Sequence, residues 1–114
     1  YRAVDYIRKH SMNRLTLEET ASHVYLSPAY FSRVFKQEMG ENFNVYVNKV
    51  RVEAAKKLLL NDSIPLVEIS TLVGFEGQSY FSKVFKKLTG VTPGKFRESR
   101  GRIRSLDIRK KGTA

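Results

Sequence analysis

A chain of 114 residues suffices for one ordinary domain or two very small ones, and its 41% hydrophobic and 28% charged residues are the balance of a packed protein, not a disordered one. Twenty-one Lys and Arg against 11 Asp and Glu give a net charge of +10, which points to a polyanionic partner. The lack of cysteine excludes disulfides, thiolate metal sites and a cysteine nucleophile. No apolar run reaches the length of a membrane span and no signal-peptide pattern opens the chain, so a soluble cytoplasmic protein is expected. The chain starts inside a helical pattern without an initiator Met, which suggests a piece of something longer.

Residues 1–10 place Tyr1, Val4 and Ile7 at helical spacing and predict a first amphipathic helix that ends near residues 11–13. Thr16-Leu17-Glu18-Glu19 has the form of a capping box and opens a second helix over 17–24. Ser27-Pro28 supplies an N-cap and a first-turn proline for a third helix over 28–39, with Gly40 as its left-handed terminator. A turn of about three residues between a short helix and an amphipathic one is a helix-turn-helix arrangement. Over 45–60, Val47, Val50, Ala54 and Leu58, with Ala55 and Leu59 alongside, predict a longer helix of about 22–24 Å that stops at Asn61-Asp62-Ser63.

Ser63-Ile64-Pro65 then restarts the pattern. Leu66, Ile69, Leu72 and Val73 form the expected apolar face of a fifth helix, and Gly74-Phe75-Glu76-Gly77 forms a turn. A sixth helix over 78–89 is stopped by Gly90, and Thr92-Pro93 opens a short seventh one to about residue 100. The string YFSRVFK at 30–36 returns as YFSKVFK at 80–86. Leu17, Glu19 and Val24 match Leu66, Glu68 and Val73 at an offset of 49, which becomes 50 from Tyr30 onward, so the second turn carries one extra residue. The expected architecture is all-α: seven helices, with helix-turn-helix subdomains at 1–44 and 62–100, a linker helix at 45–61, and a basic tail at 101–114, for which both disorder and a phosphate-binding role are open.

On each repeated helix, Phe31, Val34 and Phe35, or Phe81 and Phe85, fall on one stripe, whose spacing marks them as core residues and not base-stacking platforms. The opposite face holds Ala29, Arg33 and Lys36 with Ser32 and Gln37 in the first copy. In the second it holds Ser79, Lys83 and Lys86 with Gln78, Ser82 and Lys87. Such a face on an isolated helix is ordinarily a solvated surface. In the second helix of a helix-turn-helix it is the face free to enter a major groove. There the small Ala29 and Ser32 allow close approach, Arg33 can donate to guanine in bidentate fashion, Gln78 can pair with adenine and Lys83 can reach guanine acceptors. Tyr30 and Tyr80, at the edge of the stripe, can offer a hydroxyl to a phosphate.

Residues 51–114 carry fourteen basic and six acidic side chains against seven and five in 1–50. The run Lys95, Arg97, Arg100, Arg102, Arg104, Arg109, Lys110 and Lys111 is either a solvated terminus or a phosphate clamp. His10 and His23 lack partners at metal-ligand spacing and read as boundary residues. No serine elbow, P-loop or paired-carboxylate pattern is present, so neither enzyme activity nor a cofactor or metal is expected.

The string GFEGQSYFSKVFKKLTGVTPGKFR at 74–97 resembles the signature of the AraC/XylS family of bacterial transcription regulators, and YVNKVRVEAAKKLLL at 46–60 resembles the linker helix of that family. The resemblance implies two recognition helices presented to successive major-groove segments of double-stranded DNA, which lie about 34 Å apart. It assigns base reading to Ala29, Ser32 and Arg33 and to Gln78, Ser79, Ser82 and Lys83. Phosphate contacts are expected from Tyr30, Lys36, Tyr80, Lys86, Thr92, Lys95 and Arg97. Two departures stand out: Tyr25 occupies a turn position where the second copy has Gly74, and Ala29 is too small for a polar base contact. Family members attach such a domain to a sensor, dimerisation or receiver domain, and RNA polymerase is a further expected partner. The rival readings are a helical RNA-binding module, opposed by the narrow major groove of A-form RNA, and a module for an acidic protein, which would show no salt-dependent duplex binding.

Overall fold

Several helices of the chain begin or end on a local signal. The computed structural model describes residues 2–99, so the basic tail expected at 101–114 lies outside the described residues, as do Tyr1 and Arg100. Among the described residues there are seven helices and no strand: α1 (Arg2–His10), α2 (Leu17–His23), α3 (Pro28–Met39), α4 (Phe43–Leu59), α5 (Leu66–Leu72), α6 (Gln78–Thr89) and α7 (Pro93–Ser99). The capping box forms as expected: the Thr16 hydroxyl accepts from the Glu19 N–H at 3.0 Å, and the Glu19 carboxylate accepts from the Thr16 N–H at 3.3 Å. Gly40 and Gly90, at φ 78° and 90°, end α3 and α6. The Asn42 side chain caps α4 by accepting from the Val45 N–H at 2.9 Å, which is why the helix starts two residues before the expected 45.

The chain divides into two compact units, Tyr1–Arg51 and Val52–Ala114, and the division falls inside α4. In the first unit Ala3, Ile7, Ala21, Phe31, Phe35, Phe43 and Val47 form the core. The rings of Phe31, Phe35 and Phe43 meet pairwise at 5.6–5.9 Å, and Tyr46 joins them at 5.6 Å from Phe35. Tyr6 lies against both histidines, at 4.4 Å from His10 and 4.2 Å from His23, and so fastens α1 to α2. The second unit repeats the plan with Val52, Ala55, Leu59, Ile69, Val73, Phe75, Phe81, Phe85 and Phe96. Here Phe75, Phe81, Phe85 and Phe96 meet in sequence, tilted or edge-on, at 5.2, 5.8 and 5.5 Å.

Two expectations about core faces change. Leu72 is exposed, because the buried side of α5 is centred between Ile69, Ser70 and Val73, about 100° around the helix from Leu72. On α4 the fully buried residues are Phe43, Val47, Val52, Ala55 and Leu59, while Val50, Ala54 and Leu58 are only partly buried. The reason is that the first part of α4 packs into one core and the second part into the other, so no single stripe describes it.

Two arginines separated in sequence fasten matching places. Arg51 donates from Nε to the Ser11 carbonyl at 2.7 Å and from its terminal nitrogen to the Asn13 carbonyl at 3.1 Å, just past the end of α1. Arg97 donates in the same way to the Leu59 and Asn61 carbonyls at the end of α4, both at 2.9 Å. Each guanidinium satisfies carbonyls that a helix end leaves without an intrahelical donor, and its charge suits the negative end of the helix dipole.

Candidate nucleic-acid interface

Each unit holds a short helix, a tight turn and a twelve-residue amphipathic helix: α2 and α3 in the first, α5 and α6 in the second. The turns share one backbone geometry. The Leu26 N–H donates to the Ala21 carbonyl and the Tyr25 N–H to the Ser22 carbonyl, both at 3.0 Å. Their counterparts run from Phe75 to Ser70 at 2.9 Å and from Gly74 to Thr71 at 3.1 Å. Tyr25 and Gly74 are the left-handed residues, at φ 61° and 102°. After this common core the first turn needs only Leu26 and Ser27 to reach α3, whereas the second uses Phe75, Glu76 and Gly77 to reach α6, which locates the extra residue.

The two amphipathic helices start differently. The Ser27 hydroxyl accepts from the Tyr30 N–H at 3.3 Å and Pro28 occupies the first turn. α6 begins on Gly77 with no side-chain cap. Phe31 and Phe35, or Phe81 and Phe85, are buried and hold the helix on its unit, and the partly buried Met39 extends the stripe of α3.

The outer faces carry the side chains expected there. On α3, Ala29, Tyr30, Ser32, Arg33 and Lys36 are exposed, and on α6, Gln78, Ser79, Tyr80, Lys83, Lys86 and Lys87 are exposed, while Ser82 is half-buried. The Arg33 guanidinium carbon stands 5.6 Å from the centre of the Tyr30 ring, within range of a cation–π contact, so the base is steered by its neighbour one turn back. Tyr80 packs edge-on against Phe75 at 5.9 Å. Thr92 is exposed and its hydroxyl accepts from the Lys95 N–H at 3.1 Å, which caps α7 and leaves Lys95 on the surface.

Arg97 is the exception among the sequence-selected residues. Its side chain is only 17% exposed, its Nε and one terminal nitrogen donate to the Leu59 and Asn61 carbonyls, and Asp62 lies 3.9 Å away, so its observed work is structural. Sequence reasoning missed the equivalent clamp at Arg51, since nothing near it in the chain signals a partner. It noticed Tyr25 only as a departure from glycine, without foreseeing that the tyrosine itself would adopt the left-handed conformation.

No group of three or more metal-capable side chains occurs among the described residues, and no described helix is long and apolar enough to cross a membrane. A family model described as a helix-turn-helix domain matches residues 20–99. Regulatory protein PocR of Salmonella typhimurium is 43% identical over 97 residues, covering 85% of this chain and 32% of that protein. The chain spans less than half the length of each of the first curated relatives it matches. The C-terminal domain of AraT, a response regulator from Geobacillus stearothermophilus, superposes with a TM-score of 0.81 at 44% identity, covering 86% of this chain and 82% of that one. The DNA-binding domain of AdpA, solved with a target DNA, has the same fold at a TM-score of 0.80 and 24% identity, covering 88% of this chain and 91% of that one.

Proposed function

Since the chain belongs to the AraC-type helix-turn-helix family of bacterial transcription regulators, we propose that it reads double-stranded DNA in a sequence-specific manner through both of its helix-turn-helix units. The observation that carries this reading is the doubled unit itself: in each copy a buried phenylalanine pair fixes a twelve-residue helix whose opposite face is exposed, polar and basic. Each such helix enters a major-groove segment. Arg33 and Lys83 meet guanine acceptors, Gln78 meets adenine, and Ala29, Ser32, Ser79 and Ser82 let the helix approach the base edges. Tyr30, Tyr80, Lys36, Lys86, Thr92 and Lys95 contact the phosphates. Arg97 is left out of this set because its side chain is mostly buried and two of its donors hold the Leu59 and Asn61 carbonyls.

The net charge of +10 supplies the sequence-independent part of the affinity. The domain acts in the cytoplasm within a larger regulator that adds a sensor, dimerisation or receiver function, and RNA polymerase is its downstream partner.

Selection of bound duplexes from a random pool, repeated across a salt series, tests the reading. It should return a site with two separate blocks of fixed bases, bound with an affinity that falls steeply as salt rises. Recovery of no preferred sequence, or equal affinity for an RNA duplex, would remove sequence-specific DNA reading as the function.

A further inference from the structure

The turn of the first unit holds a residue that folding alone does not account for. Tyr25 has φ 61°, and among the described residues it is the one non-glycine residue in the left-handed region. A bulky L side chain is disfavoured there, because Cβ is driven towards the following carbonyl oxygen. The second unit makes the same turn, with the same pair of backbone hydrogen bonds, using Gly74 at φ 102°.

Nothing inside the unit offsets this strain. Tyr25 is 84% exposed, the most exposed large hydrophobic residue of the described chain. Its side chain takes part in no hydrogen bond or ring contact among the described residues, whereas Tyr6, Tyr30, Tyr46 and Tyr80 each lie against another side chain. Strain that persists without an internal return points to a contact outside the molecule.

We propose that Tyr25 is a DNA-backbone contact of the first unit, its phenolic hydroxyl donating to a phosphate oxygen at the rim of the groove that α3 enters. This rests on the DNA-binding reading above. Two observations favour a phosphate over a base or a protein surface. The residue precedes the Ser27 cap, off the face that carries Ala29 and Arg33, and the segments flanking a recognition helix meet the phosphate rails. The first unit is also the poorer in charge: α3 offers Arg33 and Lys36 together with the exposed Glu38, whereas α6 offers Lys83, Lys86 and Lys87. A neutral donor with only two side-chain torsions strengthens the weaker half at little entropic cost.

The test compares the full chain with Tyr25→Gly and Tyr25→Phe, by thermal melting and by fluorescence anisotropy on a duplex recovered by selection and on one of unrelated sequence. Tyr25→Gly should melt a few degrees higher, because the strain is relieved, and bind both duplexes about three- to tenfold more weakly. The slope of log affinity against log salt should not change, since a neutral phenol releases no counter-ion. Tyr25→Phe should show the same loss of affinity without the gain in melting temperature. Unchanged affinity in Tyr25→Gly overturns the proposal and sends the side chain to a protein partner. Wild-type binding by Tyr25→Phe, or a loss confined to the selected duplex, overturns the phosphate contact, and a lowered melting temperature in Tyr25→Gly overturns the strain argument. If the wild-type chain binds neither duplex, the DNA-binding reading fails instead.

Discussion

The two helix-turn-helix units differ least where they build their cores and most where they face outward. Phe31 and Phe35 are buried as Phe81 and Phe85 are, Gly40 and Gly90 stop α3 and α6 in the same left-handed conformation, and Arg51 and Arg97 fasten corresponding helix ends. The turn residue, the helix cap and the polar face all change: Tyr25 against Gly74, Ser27 against Gly77, and Ala29 with Arg33 against Ser79 with Lys83. One mounting is thus used for two faces. Packing constraints are strict because a core tolerates little change in volume, whereas a solvated face is free to vary with what it must recognise.

The largest expected effect tests whether the mountings are equivalent. Phe31→Ala and Phe81→Ala each remove a fully buried ring with aromatic neighbours and should each cost about 3–5 kcal/mol in denaturant unfolding. A clearly smaller cost for one of them would show that the two cores are not alike in energy.

Next come the arginine clamps. Arg51→Ala and Arg97→Ala each abolish two charge-assisted hydrogen bonds and should lower stability by about 1.5–3 kcal/mol. Duplex binding by the folded Arg97→Ala protein should keep its salt slope, and a slope reduced by about one would return Arg97 to the phosphate contacts.

Arg33→Ala and Lys83→Ala sharpen the comparison of faces. Each should lose about 1–3 kcal/mol of discrimination at its own base pair, the two in different blocks of the selected site. Uniform weakening on every sequence would make either residue a phosphate contact. For Lys36→Ala and Lys86→Ala the opposite holds: affinity should fall alike on all duplexes and the salt slope should drop by about one.

The smallest effects belong to the helix starts. Ser27→Ala should cost about 1 kcal/mol through the lost cap, while Gly77→Ser, at a position with open space around the glycine and φ −146°, should gain a few tenths. Equal and negligible changes at both would mean that the caps do not distinguish the units.

Much of this design is legible in the chain because its signals are local. A capping box, a Ser-Pro start or a glycine stop involves groups within four residues of one another, so Thr16, Ser27, Pro28, Gly40 and Gly90 announce the helices they bound. The repeated YFS string fixes which face of α3 and α6 is buried, and therefore which side chains remain exposed.

What the sequence by itself determined is the set of helices, their order and the doubling of the unit. Only the tertiary structure decided which apolar side chains of α4 serve which core, that Leu72 faces solvent, and that Arg97 holds the end of α4. It also showed that Tyr25 takes the conformation of a glycine. The physical reason is range: the bonds of Arg51 and Arg97 join residues 36 to 40 positions apart, and such a partner is settled by how the helices pack, which no local pattern encodes.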